Sequence, residues 1–291
     1  YPPDLKIEDI KNNLLSFNKE FAVSRIVSTI RQYFRKANTN YAIIGLSGGV
    51  DSSTVFVLTI KALGAERVKC LILPYSEITP TADVNDALEL ANTYNVKPMV
   101  VDIKEIVDTF VDSLSKVNLQ LDKIAHGNLL ARTRMQILYA VANTLNGLVV
   151  GAGDKSELLL GYFTKYGDGG VDLLPIGDLY KTQVRALASY LGIPDKIAYK
   201  PSSPRLWPGQ TAMDELGADY EIIDAVLYGF IELRLPIDAV MNIEGVKPEL
   251  VRNILKRVQV NEHKRRFPLI PKLSPGMTIG IDWRVPRDLN L

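Results

Sequence analysis

The stretch Gly45-Leu46-Ser47-Gly48-Gly49-Val50-Asp51-Ser52-Ser53 gathers more chemically useful groups than any other part of the chain. It follows a short apolar run, Tyr41-Ala42-Ile43-Ile44, that reads as a buried strand, and it leads into Thr54-Val55-Phe56-Val57-Leu58, which opens a helix. Glycines let the backbone bend tightly and approach an anion closely. The N–H groups of the turn and of the first helical residues then point outward unpaired. Ser47, Ser52 and Ser53 add hydroxyl donors. The stretch lacks the lysine of GxxxxGK[ST] and the spacing of GxGxxG, so it is neither of those loops. It reads as a loop that holds pyrophosphate and sets one carboxylate, Asp51, beside it. A carboxylate alone would repel phosphate, and the arrangement makes sense with Mg²⁺ between the two. The ordinary alternative is a plain Gly-rich turn, which Asp51 and the three serines weigh against.

Glu157, just after Gly151-Ala152-Gly153-Asp154, is the second carboxylate for such a metal; the alternative is a favourable first-turn residue of a helix. Asn128-Leu129-Leu130-Ala131-Arg132-Thr133-Arg134 sets two arginines in an otherwise apolar helix, pointing in different directions. One can reach a site while the other pairs elsewhere, and a buried ion pair is a serious competing reading for Arg134. The segment from Gly161 to Asp172 combines Lys165, Asp168 and Asp172 with aromatics and glycines. It offers ring-stacking surface, positive charge and acceptors for sugar hydroxyls or amides. Lys181 lies near the start of a helix, where the helix field disfavours a cation, which points to a bound anion; a solvated lysine is the alternative. Ser203, between Pro201 and Pro204, could donate to phosphate or ribose. The run His263-Lys264-Arg265-Arg266 is too short to argue for nucleic acid. Together these residues describe a pocket for two groups. The Ser47 loop, Asp51, Glu157 and Lys181 suit ATP-Mg²⁺, and Arg132, Lys165, Asp168 and Asp172 suit an anionic, ring-bearing second substrate. No Ser-His-Asp or Cys-His arrangement is visible, so the chemistry is positioning and electrostatic activation.

The elements that must hold these groups alternate. Residues 7–37 read as one or two amphipathic helices, and strands are expected at 41–44, 68–74, 96–101 and 148–151. Pro98 makes the third of these peripheral. Helices are expected at 80–94, 118–145, 178–190, 219–229 and 247–261, with a long loop at 199–218 of the kind that forms a lid or a binding element. This pattern implies a Rossmann-like α/β fold, a mostly parallel sheet covered by helices on both faces. Ligands in such sheets bind beyond the carboxyl ends of the strands, where the Ser47 and Gly151 loops should be neighbours. We expect one domain over 1–291, with N-terminal helices at 7–37 and a C-terminal helical and loop extension at 219–291.

Composition narrows the function classes. The net charge of +1 argues against a nucleic-acid surface or a polybasic membrane patch. Cys70 is the only cysteine and His126 and His263 are the only histidines, which excludes intramolecular disulfides and Cys- or His-rich metal sites. No apolar run has the length of a membrane span, and the first residues lack the order of a signal peptide, so cytoplasmic residence is expected.

The motifs together resemble the ammonia-dependent NAD⁺ synthetases, over essentially the whole chain. Gly45 to Ser52 is shared with the wider group of ATP pyrophosphatases, whereas Tyr162-Phe163-Thr164-Lys165-Tyr166-Gly167-Asp168-Gly169-Gly170 is far more specific. Asn128–Met135, Leu174–Arg185 and His263-Lys264-Arg265 also match. The resemblance implies that the nicotinate carboxylate of deamido-NAD⁺ attacks the α-phosphorus of ATP, and that ammonia then displaces AMP. By position it assigns ATP to Gly45, Leu46, Ser47, Gly48, Gly49, Val50, Asp51, Ser52, Ala152, Lys181 and Ser203. Mg²⁺ falls to Asp51 and Glu157. Deamido-NAD⁺ falls to Arg132, Lys165, Asp168, Asp172, His263 and Lys264. It also implies a homodimer whose subunits share each deamido-NAD⁺ site. Three departures stand out: Ala152 and Ser203 occupy positions that are often threonine, and Gly209–Gly217 has altered spacing. The length leaves no room for the glutamine-hydrolysing domain of larger members, so free ammonia is the expected donor, and Cys70 reads as core. A tRNA-thiolating enzyme and a non-catalytic nucleotide-binding regulator are the rival readings. The first lacks a nucleic-acid surface and spare cysteines here, and the second would not need these charged residues together.

Overall fold

The computed structural model describes residues 5–280 and residue 283. The remaining ends, with the last part of the expected 219–291 extension and most of the segment read for a signal peptide, lie outside the described residues. Four parallel strands, β1 (Tyr41–Gly45), β2 (Val68–Ile72), β3 (Met99–Val100) and β4 (Gly147–Val149), form one sheet in the order β3-β2-β1-β4. Ala42 pairs with Val68 on one side of β1 and with Leu148 on the other. The central strand is the one that feeds the Ser47 loop. β3 is short and at the edge, where Pro98 immediately before it is tolerated.

The period-two pleat divides the apolar residues between two faces. Ala42, Ile44, Val68, Cys70 and Ile72 pack with α2 (Lys19–Ala37), α3 (Val50–Leu63), α4 (Thr81–Thr93) and α8 (Lys181–Tyr190). Ile43, Leu71 and Val149 pack on the opposite face with α5 (Lys104–Ser115) and α6 (Lys123–Leu145). The sheet is thus covered on both sides, as its apolar strands require. Cys70 is fully buried in β2.

A third core lies beside the sheet. α1 (Ile7–Leu15) and α7 (Lys155–Leu160) pack there with α10 (Ala212–Leu216), α11 (Tyr220–Ile231), α12 (Ile237–Met241) and α13 (Pro248–Val260). The expected 7–37 helical segment is therefore two helices with different partners, separated by the Asn18 cap that accepts from Phe21 N. α6 starts at Lys123 rather than at 118, because Asn118 is left-handed and Asp122 caps the true start by accepting from Ala125 N. α8 starts at Lys181 rather than at 178, and Tyr180 N donates to Gln183 Oε1 across that boundary. The short α9 (Asp195–Ala198) precedes the 199–211 loop, and α10 shortens what was expected to be a loop to 218. No helix among the described residues is long and apolar enough to cross a membrane.

Candidate active site

β1 ends at Gly45, and the chain turns through Gly48, whose positive φ of 82° suits glycine alone at low cost. A β-carbon there would also lie 2.3 Å from the carbonyl oxygen of Asp83. Ser52 Oγ accepts from the Ser47 amide at 3.1 Å and lies 3.0 Å from Ser47 Oγ, which fixes the turn. Gly49 caps α3 without a side chain, so the first amides of the helix face outward with Asp51 in that first turn. First-turn amides left free in this way can receive an anion.

Across from the loop, Asp154 and Glu157 form a capping box at the start of α7. Asp154 Oδ1 accepts from Glu157 N at 2.8 Å, and Glu157 Oε2 accepts from Asp154 N at 3.2 Å. Lys181, 1% exposed, reaches in from the first residue of α8. Its Nζ lies 2.9 Å from Asp154 and 2.9 Å from Glu157, and it also contacts Asp51. One oxygen of each carboxylate lies within 4.8 Å of the others, a spacing that one divalent cation can span. Asp51 Oδ1 is buried without a hydrogen-bond donor, and Asp154 Oδ2, though close to Lys181, is off its hydrogen-bonding direction. The oxygen-only donor set and these spare oxygens fit Mg²⁺. Burial pushes the Glu157 carboxyl up to about 7, against the pull of Lys181, and raises Asp154 well above its ordinary value. Burial pulls the Lys181 ammonium down, but Asp154, Asp51 and Glu157 together outweigh it and hold it well above its ordinary value.

Both groups open on one cavity of about 580 Å³ at the carboxyl ends of the strands. Gly45, Leu46, Ser47, Gly49, Val50 and Ser52 line it from the loop, with Asp51, Glu157 and Lys181 beside them. Ala152, Ser203, Asp168 and Lys264 line it as well. Asp168 accepts from Thr164 N at 2.7 Å, and although it faces the open cavity its surroundings desolvate the carboxyl and raise it. Lys264 Nζ donates to the carbonyls of Gly161 and Phe163. Gly48 is buried behind the loop, its carbonyl accepting from Lys200 Nζ at 2.9 Å.

Four residues expected at the second substrate are not in the cavity wall. Arg132 is exposed and donates to the carbonyl of Lys165, whose Nζ lies 3.2 Å from His263 Nδ1, so these three form an outer rim. Asp172 turns toward the sheet, accepting from Tyr139 Oη at 3.1 Å and Val149 N at 2.7 Å. It is Arg134, not Arg132, that lines the cavity. Its Nε donates to the Leu73 carbonyl, it makes no ion pair among the described residues, and burial pushes it down to about 10.

Sequence reasoning also passed over Asp154, although an aspartate three residues before a glutamate is the signature of a capping box. It passed over the fastening of the 199–211 loop too. Lys200 pairs with Asp83 and Asp86 at 3.1 and 2.6 Å, and Arg205 pairs with Asp83 at 3.0 Å. Ser203 Oγ donates to the Gln210 carbonyl at 2.5 Å, within a loop that lines the cavity.

The chain is 46% identical over 276 residues to the NH(3)-dependent NAD(+) synthetase of Hyperthermus butylicus, covering 95% of this chain and 97% of that protein. Among solved structures, NMN synthetase from Francisella tularensis aligns with a TM-score of 0.77 at 30% identity, over 89% of this chain and 100% of that one. NH3-dependent NAD synthetase from Campylobacter jejuni, solved with nitrate, aligns with a TM-score of 0.74 at 30% identity, over 88% and 100%. Residues 22–268 match the family described as NAD synthase. That span contains every residue of the cavity wall, and the chain belongs to the NAD synthase family.

Proposed function

We propose that this chain is an ammonia-dependent NAD⁺ synthetase that uses ATP, Mg²⁺, deamido-NAD⁺ and ammonia. The observation that carries the reading is the meeting, in one cavity, of the Ser47 loop, an acidic cluster and the Asp168 and Lys264 side chains within a family-matched span. The loop amides and Ser47 would hold the β- and γ-phosphates, with Lys181 reaching their oxygens. Asp51 and Glu157 would hold Mg²⁺, which supplies charge neutralisation for the departing pyrophosphate. A nicotinate oxygen attacks the α-phosphorus, an O–P bond forms, and the bond to the bridging oxygen breaks as pyrophosphate leaves. The nitrogen of ammonia then attacks the acyl carbon, the C–O bond breaks, and AMP departs as the amide nitrogen gives up its proton.

The rest of the site would hold the dinucleotide. Asp168 and Lys264 face the cavity, and Arg132, Lys165 and His263 stand at its rim. A rim placed outside the subunit's own cavity suits a substrate shared with a second copy. Exposed Ile106, Phe110, Val117, Leu119 and Ile124, on α5, α6 and the turn between them, supply apolar surface for that copy. We take the assembly to be a homodimer working in the cytoplasm.

The test is incubation with ATP, Mg²⁺, deamido-NAD⁺ and ammonium, with the nucleotides separated afterwards. NAD⁺, AMP and pyrophosphate are expected in equal amounts. ADP and phosphate would sink the attack at the α-phosphorus. Because one structural neighbour is an NMN synthetase, nicotinate mononucleotide is offered in parallel. Its use in preference to the dinucleotide would overturn the substrate assignment.

A further inference from the structure

The acidic cluster has one member too many for a simple ion pair. Three carboxylates converge on the Lys181 ammonium, which sits where their oxygens come closest. An ammonium 2.9 Å from Asp154 and Glu157 and touching Asp51 fills the space that a divalent ion bound to the same oxygens would need. Mg²⁺ bonds oxygen at about 2.0–2.1 Å, so both cations cannot share the three oxygens. One must leave before the other enters.

The Lys181 backbone cannot move easily. Its amide donates to Ser156 Oγ at 2.9 Å, and Ser156 Oγ donates to the buried Asp224 at 2.5 Å. The flexible part is the side chain, whose ammonium lines the same cavity as Ser47. Nucleotide phosphates on the Ser47 loop offer that ammonium a second, stronger anionic partner. Asp154 is the carboxylate that fixes the first position. It is 0% exposed, it holds Glu157 through the capping box, and its Oδ2 has no donor other than the off-axis ammonium.

We propose that Asp154 is a positioning residue that seats Lys181 as a built-in counter-cation, which keeps the divalent-metal position filled until nucleotide arrives. Metal then enters with ATP rather than ahead of it. This rests on the metal reading above. It is tested without substrate, so its failure and the failure of the amidation assay are separate results.

The probe is Mn²⁺ alone, titrated into the nucleotide-free protein and followed by electron paramagnetic resonance and by thermal unfolding. Lys181→Met is expected to bind Mn²⁺ about tenfold more tightly than wild type, or more, and to gain thermal stability from it where wild type does not. Lys181→Gln, which keeps a donor toward the carboxylates, carries the same test if the methionine variant does not fold. Asp154→Asn with Lys181 intact should loosen the seated ammonium and give part of the same gain in Mn²⁺ affinity, and added to Lys181→Met it should give no further gain. Asparagine still caps Glu157 N, so the change reports the carboxylate and not the helix cap. Wild-type protein that binds Mn²⁺ as tightly as the lysine variants would overturn the counter-cation. Wild-type affinity in Asp154→Asn would remove Asp154 from it.

Discussion

Asp51 stands in the first turn of α3 with one oxygen against Lys181 and the other, Oδ1, buried without a donor. Its side chain borders the cavity rather than packing in a core. Asp51→Asn is therefore expected to lower kcat on the order of 10²-fold, the scale for losing one preorganised charge-stabilising group. The thermal midpoint should hold or rise, because the change removes one of three clustered negative charges. Single-turnover AMP release and a melting curve check the two halves, and full activity would deny Asp51 its role. At this scale the sequence was informative about residue types but not about direction. Two arginines two apart on a helix must diverge. Nothing local says which one faces the cavity, and packing gives that place to Arg134. Asp154 was hidden for a related reason. It looks like an ordinary capping residue until α8 brings Lys181 onto its second oxygen.

At the scale of elements, Asp224 of α11 ties three helices together. It accepts from Ser156 Oγ of α7 and from both Thr182 N and Thr182 Oγ1 of α8. Burial pushes its carboxyl up to about 6, although Ser156 and Thr182 pull the other way. The folded state thus binds this proton more tightly than the unfolded chain does. The stabilisation is complete below the ordinary carboxyl range and is lost as pH rises through about 6. Asp224→Asn cannot ionise, so between about pH 4 and pH 6 it should lose less stability than wild type, by up to about 3 kcal/mol. Urea unfolding across that range is the measurement, and parallel slopes would contradict it. Elements were largely legible from the sequence because apolar strands bounded by glycine and capped helices are local features. Their partners were not. The apolar stripe of α1 is plain, yet its contact with α11 spans some two hundred residues and follows from the fold alone.

For the whole molecule, exposed Ile106, Phe110, Val117, Leu119 and Ile124 are expected to be buried in a homodimer. Light scattering of concentrated and dilute enzyme should find twice the chain mass of 32.3 kDa, with deamido-NAD⁺ binding lost where the dimer dissociates. A fully active monomer would end both the interface and the shared rim. Cys70 is the chain's single thiol, it is wholly enclosed in β2, and burial pushes it up to about 12. The native thiol is thus almost never a thiolate and never meets solvent, so alkylating dyes can reach it only when the central strands part. The protein carries a silent internal reporter of its own opening. A cysteine introduced at an exposed position of the 199–211 loop would be the one thiol that reacts in the native fold, and a fluorophore placed there could follow that loop without any background from the native chain.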